Sequence, residues 1–336
     1  MRNIYDLTIK ELEDYFISIN EKKFRAVQVY EALYKRRIKS FDDMTNISKE
    51  VREKLKQDFS FYKIKMLIKQ QGKNVNKYLF ELEDGNKIES VLMFHDYGTS
   101  ICVSSQVGCN MTCAFCESGR LKKVRNLLAY EIVQQILQIE EDINKRITHV
   151  VLMGIGEPFD NYDNVLRFIK IINCGKGIDI GSRHITISTC GVIPGIKKFM
   201  NEEGQVNLAI SLHAPNNTLR SRIMPINKAY PLNELMETIK EYINKTNRRV
   251  TFEYIMLDNV NDSEENAKEL ALLKGINCYV NLIPYNETEN IEFKRTKEWK
   301  IMKFYDILKK NKINVTIRKE FGGSVDAACG QLRANN

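Results

Sequence analysis

A chain of 336 residues with 43% apolar content can bury a sizeable core, as one large α/β domain or as a core with an appendage. Its 51 Lys and Arg against 43 Asp and Glu leave a formal charge of +8, an excess that suits a polyanionic partner. No apolar run reaches membrane-spanning length, and the opening M-R-N-I-Y-D-L-T-I-K lacks the apolar core of a secretory signal. A cytoplasmic setting with no membrane partner is therefore expected, where thiols stay reduced.

Residues 1–58 read as a helical unit. Thr8 and Glu11 form a capping-box signature ahead of a first helix. Phe24, Val27, Tyr30, Leu33 and Tyr34 recur at helical spacing in a second, and Val51 and Leu55 mark the inner face of a third after Ser48. An aromatic stripe of this kind serves a core or stacks on bases. The run Lys35, Arg36, Arg37, Lys39 closes the second helix, where it also complements the helix dipole. From 59 to 94 the period becomes two, with a hairpin turn at 83–86, which predicts a small antiparallel linker sheet whose last strand carries Glu89.

From Ile101 onward strands and helices alternate. Strands are expected at 101–105, 149–153, 184–189, 206–212, 249–257, 278–283 and 314–318, with helices at 129–143, 161–173, 232–242 and 297–310. Too few repeats are present for an eight-fold barrel, so the fold class is α/β, a partial (β/α) barrel over 95–322 followed by a tail at 323–336. In such folds ligands gather at the carboxyl ends of strands. There the chain places G-I-G-E-P (154–158), S-T-C-G (188–191), S-L-H-A-P (211–215) and P-Y-N (284–286). The glycines of the first allow close approach of a ligand, and Glu157 can accept hydrogen bonds from an ammonium group, although such a loop is equally a surface turn.

The densest chemistry lies in C-V-S-S-Q-V-G-C-N-M-T-C-A-F-C, residues 102–116. Cys109, Cys113 and Cys116 stand in C-x3-C-x2-C spacing, so their thiolates can converge on one centre. Three local ligands leave an open position on a cubane, or await a distant fourth ligand around zinc. The second basic run, Arg120, Lys122, Lys123 and Arg125, sits beside this centre. A last cysteine, Cys329, lies in D-A-A-C-G-Q-L near the chain's end and reads either as a small core residue or as a reactive thiol on a flexible tail. Cys102 is then the natural second thiol, whereas Cys174, Cys190 and Cys278 read as packing residues.

The cysteine spacing with Phe115 before Cys116 resembles the cluster motif of radical S-adenosylmethionine (SAM) enzymes. Together with M-G-I-G-E-P, S-L-H-A-P-N, R-I-M-P-I-N-K, L-I-P-Y-N, D-A-A-C-G-Q-L, and F-R-A-V-Q-V-Y followed by F-D-D-M-T-N near the start, the chain closely resembles the RlmN/Cfr family of radical SAM RNA adenine methyltransferases along nearly its whole length. The resemblance implies a 4Fe-4S cluster on Cys109, Cys113 and Cys116. It implies SAM held by Gly156, Glu157, Ser188, Ser211, Leu212, His213 and Asn286. Cys329 becomes the methyl-accepting thiol, Cys102 its disulfide partner in product release, and Glu89 the proton acceptor.

The implied substrate is an adenine of 23S rRNA, with tRNA as a second partner, and an electron donor such as flavodoxin or ferredoxin supplies the reductant. The helical unit at 1–58 becomes an RNA-binding accessory domain. Val107, Pro158 and Ala214 match the branch that methylates C2, while Tyr285 and the short F-G-G-S-V-D run match the Cfr branch, which methylates C8. Glu117 and Cys190 depart from the usual pattern. Rival readings are a radical SAM enzyme acting on a small molecule or protein, and a zinc-dependent RNA-binding protein without catalysis.

Overall fold

The period-two segments and the βα repeats fold into one continuous sheet. The computed structural model describes residues 1–318 and 330–332. Its main sheet has ten strands that lie side by side in chain order. They are β1 (Lys65–Gly72), β2 (Val75–Glu81), β3 (Lys87–His95), β4 (Gly98–Cys102) and β5 (His149–Leu152). After these come β6 (Ile185–Thr189), β7 (Asn207–Ser211), β8 (Val250–Met256), β9 (Cys278–Pro284) and β10 (Val315–Ile317). Strands β1 to β4 pair antiparallel and β4 to β10 pair parallel. Among the described residues the sheet ends at β10 and β1 without closing, as an open barrel does.

The antiparallel strands, expected as a separate linker, extend this sheet instead. Strand β4 has two backbone edges: β5 occupies one, and β3 folds back onto the other, from His95 opposite Gly98 to Val91 opposite Cys102. That pairing carries Glu89 to the rim of the barrel.

The crossovers between parallel strands carry amphipathic helices. The long ones were legible from periodicity: α4 (Ala129–Ile143), α5 (Tyr162–Asn173), α8 (Leu232–Thr246) and α10 (Glu298–Lys310). Three more, α6 (Ile193–Phe199), α7 (Asn217–Ile223) and α9 (Glu264–Leu270), are seven residues each, about two turns and too short for a clear helical period. Among the described residues no helix is long and apolar enough to cross a membrane.

The N-terminal helices are α1 (Ile9–Ser18), α2 (Phe24–Tyr34) and α3 (Lys49–Asp58), and α1 carries the Thr8/Glu11 capping box. Their apolar faces belong to the same hydrophobic core as the barrel. Tyr30 and Tyr34 are buried and donate their hydroxyls to the carbonyls of Leu7 and Tyr5 at 3.3 and 3.2 Å, so they pack rather than stack on bases. Phe24, placed on the same face by spacing, is exposed, and Ala26 and Val29 take its place in the core. Ion pairs tie this unit to the barrel helices: Glu11 to Arg167 at 2.5 Å, and Arg37 to the buried Glu140.

Candidate active site

The chain leaving β4 forms a loop before it reaches α4. A two-residue ladder closes the loop's base, with Gln106 opposite Asn126 and Val107 opposite Arg125. Backbone bonds from Cys109 to Leu121 (3.0 Å), Ala114 to Ile223 (2.9 Å) and Cys116 to Cys113 (3.2 Å) pin its course. Cys109, Cys113 and Cys116 thereby line one cleft of about 820 Å³. Among the described residues no three His, Cys, Asp or Glu side chains gather as ligands of a single metal ion.

Burial pushes the Cys109 thiol up to about 12, and the neighbouring Cys116 adds to the shift. Cys113 is raised further, first by burial and then by Cys116 and Cys109. Neighbouring thiols whose ionisation is opposed by burial and by one another are stabilised together by a cationic centre that takes them all as thiolates. The donor set fits an iron–sulfur cluster with three protein ligands.

The opposite wall comes from the ends of β5, β6, β7 and β8. Gly156, Glu157, Ser188, Ser211 and His213 all line the cleft. Gly156 has φ +107°, and a Cβ there would sit 2.6 Å from the Cβ of Gln106, so only glycine fits. The buried Glu157 carboxylate accepts N–H bonds from Phe159 at 3.0 Å and Cys190 at 2.8 Å, while burial pushes its pKa up. The side chains of Thr189 and Cys190 also hydrogen-bond this carboxylate, which as an anion can accept from a ligand ammonium.

His213 stands at φ +56°, and its Nδ1 accepts the Ile255 N–H at 3.0 Å. The proton therefore sits on Nε2, which becomes a donor. Burial, with Arg220 nearby, drops the imidazole to about 3, so it stays neutral at physiological pH. The Phe115 ring meets it edge to face at 4.8 Å. Leu212, one residue past the end of β7, buries its side chain in the main core, leaving only its backbone for a ligand. Asn286, half-buried just past β9, is not among the lining residues.

Cys102 borders a second, smaller cavity, which shares Cys116, Ser118, Met153, Gly154 and Gly330 with the first. Glu89 lies two residues along β3 from Val91, the partner of Cys102, so both side chains emerge on one face of the sheet. Glu89 is buried and pairs with Lys77 at 3.2 Å. Cys329 lies outside the described residues, but its neighbour Gly330 does not. The Gly330 carbonyl accepts the Glu117 N–H at 2.8 Å, and a Cβ on Gly330 would come within 3.9 Å of the Cys116 Cα.

Arg220 is a functional residue that motif reading passed over. It is fully buried and donates to the carbonyls of Cys190 (2.6 Å), Leu212 (3.2 Å) and Ser211 (3.3 Å) and to Asn227 Oδ1 (3.0 Å). It thus ties the ends of β6 and β7 into one wall. Arg220→Met removes the guanidinium donors from these buried carbonyls and is expected to cost about 3 kcal/mol, measured as a lowered urea midpoint. Glu253, also unforeseen, lines the floor of the cleft and accepts from Asn281 at 2.9 Å.

The basic run beside the cysteines is largely neutralised within the protein. Arg125 forks onto Glu131 at 2.7 and 2.8 Å and onto Asp84 at 2.6 Å, and Lys123 pairs with Asp160 at 2.6 Å. Arg120 and Lys122 remain exposed beside the cluster loop.

Residues 2–60 match the family described as "Ribosomal RNA large subunit methyltransferase N-terminal domain", and residues 103–271 match the "Radical SAM superfamily". A "Probable dual-specificity RNA methyltransferase RlmN" of Spiroplasma citri is 54% identical, spanning 100% of this chain and 98% of that relative. A relative of the same description from Streptococcus thermophilus (strain CNRZ 1066) is 55% identical over 99% of this chain and 88% of its own length. The crystal structure of a radical SAM methyltransferase from Sphaerobacter thermophilus superposes with a TM-score of 0.94 at 40% identity, covering 100% of both chains.

Proposed function

The chain belongs to the RlmN family of radical SAM RNA methyltransferases, and from that premise we propose that it methylates C2 of an adenine in 23S rRNA, and of an anticodon-loop adenine in tRNA, through a methyl group carried on Cys329. Adenine C2 is an electron-poor carbon and a poor nucleophile, so ordinary transfer from SAM is closed to it. A methyl group carried on a thiol and activated by hydrogen abstraction avoids that barrier. Cys109, Cys113 and Cys116 hold the cluster, which when bound supplies the one-electron chemistry that cleaves SAM.

The chain's own groups do the rest. Glu157 receives the ammonium of SAM, the Nε2–H of His213 donates to its polar end, and Phe115 packs beside the adenine. Cys329 loses its proton and takes the methyl of one SAM, then gives up a hydrogen atom from that methyl to the fragment of a second. The resulting carbon joins C2 of the RNA base. Glu89 takes the ring proton as one electron leaves the adduct radical for the electron carrier. The Cys102 thiolate then attacks the Cys329 sulfur: the new S–S bond displaces the methylene carbon, which takes up a proton to become the methyl group of the released RNA.

The observation that supports this reading best is the position of Gly330. The residue next to Cys329 touches both the cavity of the three cysteines and the cavity of Cys102. RNA bases must be unstacked to meet a thiol on such a tail, which favours loop nucleotides. The exposed Arg120 and Lys122 meet the RNA backbone by charge, and an electron donor such as flavodoxin or ferredoxin completes the cytoplasmic cycle. Mass spectrometry of ribosomal and transfer RNA nucleosides, after expression in cells lacking the endogenous enzyme, tests the assignment. 2-Methyladenosine is the expected product; 8-methyladenosine would move the chain's chemistry to the Cfr type, and neither product would overturn the RNA assignment.

A further inference from the structure

The segment that follows Cys329 is fastened chiefly to the cluster loop. The Glu117 N–H holds the Gly330 carbonyl at 2.8 Å, and the Ser118 hydroxyl donates to the Leu332 carbonyl at 2.6 Å. Gln331 Nε2 reaches the Glu287 carbonyl at 3.2 Å. The Leu332 side chain is buried in a small apolar cluster with Val75, Val91, Met93, Cys102 and Ile155. Gly330, at φ +87°, turns the chain back between these anchors. Ser118 is itself buried, lines both cavities, and spends its hydroxyl on the tail.

We infer that Ser118 is a positioning residue, a latch that holds the segment after Cys329, residues 330–332, against the cluster loop where the two cavities meet. This rests on Cys329 being the methyl acceptor. That thiol has several successive partners: the methyl of SAM, the hydrogen-abstracting fragment, the RNA base and Cys102. A tail anchored through hydrogen bonds and one buried leucine can release and return, whereas a covalent tether or a long helix could not. The Ser118 hydroxyl joins the tail to the loop bearing Cys116, so it sets the register between the radical source and the methyl group. When the latch is open, SAM is cleaved with no methyl group in reach, and the event is abortive.

The test uses the full chain, reconstituted with iron and sulfide and supplied with SAM, reductant and an RNA fragment. Iron content, methylation of the Cys329 peptide, and 5′-deoxyadenosine released per methyl group transferred are read for wild type, Ser118→Ala, Ser118→Thr and Leu332→Ala. Losing the latch bond is expected to raise abortive cleavage about tenfold in Ser118→Ala, with iron content intact. Ser118→Thr, which keeps the hydroxyl, restores coupling, and Leu332→Ala uncouples in the same direction without touching the cluster loop. An unchanged ratio in Ser118→Ala, or a loss of iron that accounts for its defect, overturns the latch. If the wild-type Cys329 peptide never gains a methyl group, it is the assignment of Cys329 that falls.

Discussion

Replacing Cys329 with Ala is expected to abolish methyl transfer to RNA, by about a thousandfold or more, while iron loading and reductive cleavage of SAM persist. The split follows from where the two functions reside. The three cluster cysteines are held by the loop's own ladder at 106–107 and 125–126 and by backbone bonds among Cys109, Leu121, Ala114 and Ile223. None of those bonds involves the tail. The substitution removes only a sulfur, so the Glu117 and Ser118 contacts to Gly330 and Leu332 are retained. Iron analysis, 5′-deoxyadenosine release and methyl incorporation on one preparation check it. Methyl transfer at the wild-type rate would remove Cys329 from the reaction.

The second large effect is expected at Cys102. Cys102→Ala should stop turnover after the first covalent event, leaving RNA attached to the protein through Cys329. Cys102 lines the smaller cavity beside Cys116 and Gly330, on the sheet face it shares with Glu89. A thiol there suits disulfide exchange with a thiol on the tail, and alanine cannot release what the tail has bound. The adduct is read as a nuclease-sensitive shift on a denaturing gel, absent from the Cys102→Ala, Cys329→Ala double variant. Normal turnover by Cys102→Ala would mean that product leaves by another route.

How much of this was legible in the sequence depended on how local the signal was. The cysteine spacing, G-I-G-E-P and S-L-H-A-P each sit in a few consecutive residues, whereas the left-handed backbone at His213 that brings its ring into the cleft beside Ser211 is a feature of the fold. The long crossover helices announced themselves by period, and α6, α7 and α9 were too short to do so. The merging of the antiparallel strands into the main sheet was hidden, because period two identifies a strand but not which edge it joins. Arg220 was hidden for a different reason. A single arginine in a polar stretch reads as solvated, and only the fold brings the carbonyls of Cys190, Ser211 and Leu212 around it. Composition likewise overstated the basic run at 120–125, whose partners Asp84, Glu131 and Asp160 come from other parts of the fold.

The claim that the methyl group travels by way of a protein sulfur is tested most directly with SAM carrying a fully deuterated methyl group. Passage through S-methylated Cys329 requires that one deuterium be abstracted before carbon meets the base. The 5′-deoxyadenosine should therefore gain one deuterium, and the RNA methyl should keep two. An RNA methyl that keeps all three, with no deuterium in 5′-deoxyadenosine, would mean direct transfer and would contradict the account.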